Sequence, residues 1–171
     1  SIAEKSLDAE AEHQIQAITL FLDQSLDRME AQIRERQDSL DMFFEAAEMN
    51  DEGQPRSSGE LLAELSSVAR IPLKLTNDQQ RMLRDDPSAL SVPIKQEVEA
   101  NLRAQTIARI ISTIELRVGE PLEVTQHQFD LSDWNSVTAE ILDAVQIALT
   151  KRREKLTGET GQISKDLDAL L

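Results

Sequence analysis

Between Ile15 and Ala47 the chain carries an apolar repeat of seven residues that a long helix satisfies and other backbone conformations do not. Two lines of positions follow it: Ile15, Leu22, Met29, Arg36 and Phe43, and Thr19, Leu26, Ile33, Leu40 and Ala47. Eight of the ten are apolar, and the residues between them are mostly charged or polar, so the pattern has one buried side. It predicts a helix from Leu7 to Glu48, about 63 Å long at 1.5 Å per residue, longer than a compact domain of this size needs. Such a helix either projects or is gripped by several shorter ones. Ile18, Leu20 and Phe21 widen the stripe in its first third, which calls for more than one neighbour there. Beyond Ile33 the stripe narrows to a seam, interrupted once by Arg36, which either sets register or extends its charged head to solvent.

The rest of the chain supplies candidate neighbours. Asn50 to Ser58 is polar, with Gly53 and Pro55, and reads as a linker between the long helix and the remaining bundle. Ser57 with Glu60, and Thr76 with Gln79, are capping boxes that open two short helices, closed by Pro72 and Pro87. The apolar connector Ile71 to Leu75 is expected to lie against the core. Pro93 stands in the first turn of a fourth helix, and Gly119 and Pro121 end it in the order expected at a helix C-terminus. Its spacing Ile107, Ile110, Ile111, Ile114, Val118 is helical rather than alternating, which makes it the central core element. A connector of about a dozen residues follows, pinned by Leu122, Val124, Phe129 and Leu131. Ser132 or Asp133 then caps a last long helix that buries Trp134, Val137, Ile141, Leu142, Val145, Ala148 and Leu149 and ends at Gly158. Ile163, Leu167 and Leu170 suit a separate short terminal helix.

The fold class is therefore all-α: an irregular helical bundle with a long N-terminal coiled-coil-like helix and four to five shorter helices. Only five glycines, four phenylalanines, one tryptophan and no tyrosine leave little material for strands. With 171 residues, 40% of them hydrophobic, residues 1–171 are expected to form a single helical domain. A start at Ser1 without methionine and an end just after an apolar pair suggest a piece of a longer polypeptide.

Charge narrows the partners. With 32 acidic and 18 basic side chains the net charge is -14, which repels nucleic-acid backbones and anionic lipid surfaces. No apolar run approaches the roughly 18 residues of a membrane span, and no charged-then-apolar N-terminus suggests a signal peptide. Without cysteine there is no disulfide, thiolate nucleophile or Cys-ligated metal, which fits a cytoplasmic protein.

No motif for catalysis emerges. His13 and His127 lack a second ligand at helical spacing, so no metal is expected. The carboxylates Glu4, Asp8 and Glu12, and Asp23, Asp27 and Glu30, share helix faces, but no Glu stands three residues before a histidine as a di-iron bundle requires. Solvated faces explain them. No nucleophile elbow or phosphate loop occurs, since GETG at 158 to 161 follows a helix rather than a strand. No cofactor is expected.

Lys151 to Lys155, KRREK, is the one basic cluster. Lys151, Arg152, Arg153 and Lys155 either contact a phosphate, an acidic partner or the acidic first helix, or complement a helix C-terminus, and the last is favoured. The expected function is a non-catalytic scaffold or protein-protein interaction module within a larger protein or assembly. Its interaction residues are Met29, Ile33, Arg36, Leu40 and Phe43 of the seam together with the four basic residues. Its partner is another protein, the rest of its own polypeptide, or a second copy through the long helix. An alternative is the helical transmission lobe of an ATP-driven motor whose nucleotide-binding lobes lie outside the chain. A nucleic-acid domain using the basic cluster is disfavoured by the net charge.

Overall fold

A computed structural model describes residues 2–48, 57–124 and 129–170. They form α1 (Ile2–Glu48), α2 (Ser58–Ala69), α3 (Asn77–Asp85), a 3-10 turn (Pro87–Leu90), α4 (Ser91–Val118) and α5 (Trp134–Leu170). The fold is all-α; among the described residues there is no strand. Residues 50–56 of the expected linker, and His127, lie outside the described residues; Ser58 at the linker's end is already helical.

The chain groups into two compact units: one of Ser1–Leu26 with Thr106–Leu171, the other of Asp27–Gln105. Both dividing points fall inside helices, α1 and α4. Periodicity reports which face of a helix is buried, not which neighbour buries each stretch, so the division leaves no mark on the repeat.

In the second unit, Met29, Ile33, Leu40, Phe43 and Phe44 of α1 are buried with Leu61, Leu65 and Ala69 of α2, Leu83 of α3, and Ile94, Val98 and Leu102 of α4. The caps read from the sequence organise its small helices. Ser57 accepts from the Glu60 amide at 3.2 Å, and Thr76 and Gln79 form both bonds of a capping box, at 2.9 and 3.2 Å. Arg70 closes α2 in the left-handed conformation, φ 57°, its amide bonded to Ser66 O. Pro72 then prevents continuation, and Ile71 and Leu73 turn inward as expected of that connector.

In the first unit, Ile18 and Leu22 of α1 join Ile107, Ile110, Ile111, Ile114 and Val118 of α4 and Trp134, Val137, Ile141, Ala144, Val145 and Ala148 of α5. Leu20, expected to widen the buried stripe, is exposed instead. Gly119, with φ 77°, ends α4 through a bond from its amide to Glu115 O. The Glu115 carboxylate then accepts from the Leu122 amide at 2.8 Å, fastening the connector back onto α4. Asp133, rather than Ser132, caps α5 by accepting from the Ser136 amide at 3.2 Å.

One boundary is corrected outright. Gly158 does not end a helix, and there is no separate terminal helix: α5 runs unbroken from Trp134 to Leu170. A glycine inside a helix costs about 1 kcal/mol against alanine but stops it only when it adopts a left-handed cap. Among the described glycines only Gly119 has positive φ.

Candidate functional site

The seam residues proposed for interaction lie within the second unit's core. Met29, Ile33, Leu40 and Phe43 are buried, and Phe43 meets Phe44 edge to face with centroids 5.2 Å apart. Arg36 is half-buried and donates from Nη1 to Ala69 O, the last carbonyl of α2, at 2.6 Å. Burial, and secondarily the like charge of Arg70, pushes its guanidinium pKa down, with Glu35 opposing. The helices after residue 56 therefore cover this seam.

The basic cluster also differs from its expected role. Because α5 continues to Leu170, Lys151 to Lys155 stand in mid-helix and cannot serve a C-terminal dipole. They reach across to acidic residues instead. Lys151 pairs with Glu123 and Arg153 with Asp8 of α1, while Lys155 meets Glu120 at 2.6 Å. Glu120 is only 5% exposed, and a buried carboxylate needs such a partner. The hydrogen bond from Lys151 holds the Glu123 carboxyl below its ordinary value, and the same bond pushes the Lys151 ammonium up. Arg152 has no ion pair among the described residues; its guanidinium lies beside Gly119 at the end of α4.

Beside this cluster a groove of about 440 Å³ opens in the first unit. Leu7, Ala11 and Ile15 of α1, Val118 of α4, and Leu149 and Leu156 of α5 supply its apolar lining. Glu10, Arg117, Arg152 and Arg153 supply its charge, and with Arg153 paired to Asp8 a local excess of one positive charge remains on a chain of net charge -14. Arg117 is also stacked on the Phe21 ring, 4.6 Å from its centroid.

The α5 face that lines the groove continues past it. Leu149, Arg153, Leu156, Thr160, Ile163, Leu167 and Leu170 follow steps of four and three, a seven-residue repeat on one side of the helix. Up to Leu156 this face is at least half-buried, but Ile163, Leu167 and Leu170 are 60%, 56% and 83% exposed. This repeat is the feature sequence reasoning missed. Treating Gly158 as a stop cut it in two, although the leucine and isoleucine spacing across that glycine was there to be read.

No helix among the described residues is long and apolar enough to cross a membrane, and no group of three or more His, Asp or Glu side chains there converges on a metal position. Comparison with protein-family models, with curated proteins and with solved structures finds no match.

Proposed function

We propose that this chain is a non-catalytic helical interaction module whose docking surface is the long face of α5. The observation that carries the reading is the exposed line Ile163, Leu167, Leu170, which continues a line half-buried as far as Leu156. A helical segment that packs on nothing is marginal in water, and leucine and isoleucine at helical spacing gain free energy when a second helix covers them. The mode is a partner helix laid along an apolar stripe, with charged residues at the margin setting orientation. The net charge favours a protein partner over nucleic acid.

A photo-reactive phenylalanine analogue placed at Leu167 in the full chain, and separately at the exposed control position Glu140, tests this in cells. Protein adducts are expected from position 167, far fewer from 140, and they should vanish when Ile163 and Leu170 are changed to aspartate. Equal labelling from both positions contradicts the proposal.

A further inference from the structure

Resting on the reading of α5 as a docking face, we infer that the partner helix is the same segment of a second copy: the end of α5, from Thr157 to Leu170, lies along the groove of another molecule of this chain, reciprocally.

Two independent features lead there. The first is charge. The segment 157–170 carries Glu159, Asp166 and Asp168 against Lys165, a net of minus two, and its apolar side chains Ile163, Leu167 and Leu170 are exposed. The groove carries Arg117, Arg152 and Arg153 against Glu10, and with Arg153 paired to Asp8 an excess of plus one remains, with an apolar lining beneath. On a chain with a large negative charge, this local positive excess matches the chain's own acidic helix end. Arg152 makes no ion pair among the described residues.

The second is register. In an antiparallel pair of α5 helices whose two-fold axis passes between Glu159 and Thr160, Ile163 of one copy stands opposite Leu156 of the other, and Leu170 opposite Leu149. The exposed stripe of each copy then falls on the groove-lining stretch of its mate. Both contacts form at once, with no surface left to recruit a third copy, so the assembly is a closed dimer rather than a filament. A groove of about 440 Å³ is sized for side chains rather than for a whole helix. Ile163, Leu167 and Leu170 enter it while the helix backbone stays above.

Sedimentation equilibrium on the full chain across a concentration series tests the inference, with circular dichroism to establish that each variant keeps its helices. The unaltered chain is expected to pass from monomer to dimer. Leu167→Asp, on an exposed side chain, is expected to weaken the dimer roughly a hundredfold or more, because a reciprocal dimer loses two buried leucines. Arg152→Glu and Asp166→Lys are each expected to weaken it. An equimolar mixture of those two variants is expected to recover, because in the mixed dimer both groove and helix-end pairs are again complementary. A chain that stays monomeric throughout, or a Leu167→Asp variant that dimerises unchanged, overturns the inference. Adducts from position 167 to a different protein would then leave the docking face standing with another partner, whereas no adducts above the Glu140 control would remove both.

Discussion

Arg36 of α1 donates a hydrogen bond of 2.6 Å to the carbonyl of Ala69, the residue on which α2 ends. The last carbonyls of a helix have no partner within it, and here a guanidinium from another helix supplies one. Arg36→Ala is expected to destabilise the chain by about 1.5–3 kcal/mol, the usual worth of a hydrogen bond to a charged group. Arg36→Lys, with a compact ammonium in place of the planar fork, should retain part of it. Urea denaturation followed by circular dichroism reads both; an Arg36→Ala midpoint equal to the native one contradicts the role.

The neighbouring Arg70 occupies the left-handed cap position, φ 57°, where a side chain is strained and glycine is not. Its charge also disfavours the Arg36 cation beside it. Arg70→Gly is therefore expected to stabilise the chain by about 0.5–1 kcal/mol, a rise of roughly 1–4 °C in Tm for a chain of this size. Scanning calorimetry showing a fall in Tm would mean that Arg70 makes a contact worth more than its strain.

Two glycines should respond in opposite directions to alanine. Gly119 ends α4 with φ 77°, so Gly119→Ala is expected to cost about 1–2 kcal/mol. At Gly158, inside α5, an added Cβ meets nothing within 4 Å, and Gly158→Ala is expected to gain about 1 kcal/mol of helix stability. The thermal unfolding of the two variants, measured side by side, should bracket that of the native chain.

These glycines also mark what the sequence discloses. Gly119 was legible as a helix end because Pro121 follows it and the apolar period stops there. Gly158 has no such company, since the apolar period resumes at Ile163 in the same register, and that continuity was the better guide. The helical class, the caps at Ser57 and Thr76 and the buried seam of α1 all follow from local chemistry, which a linear sequence carries in full. The partners of Arg36 and Lys155 do not. Ala69 lies 33 residues from Arg36 and Glu120 lies 35 from Lys155, and no local rule pairs them. The groove was illegible for the same reason: three helices contribute to it, and Ile15, Val118 and Leu149 read only as parts of separate apolar stripes.

Acid should loosen the connector between α4 and α5. Lys151 holds the Glu123 carboxyl below its ordinary value of 4.5. A carboxylate depressed in the folded state contributes stability that is present above its unfolded pKa and lost as pH falls through its folded one. The contribution of this pair is therefore intact at neutral pH and disappears only below about pH 4.5. Lys151, raised, contributes below its ordinary value of 10.5 and loses that contribution as pH rises past it. Carboxyl-detected NMR titration is expected to place Glu123 lower than an unpaired glutamate, and Lys151→Gln to return it upward. An unchanged Glu123 titration in that variant contradicts the pairing.

Backbone hydrogen exchange along α5, followed as the chain is concentrated, tests the central claim most directly. If the end of α5 docks on a second copy, the amides of 157–170 exchange far faster than those of 137–149 in dilute solution and become protected as concentration rises. Protection of 157–170 that is equal to that of 137–149 and independent of concentration would mean that the segment is covered within its own chain, and would contradict the account.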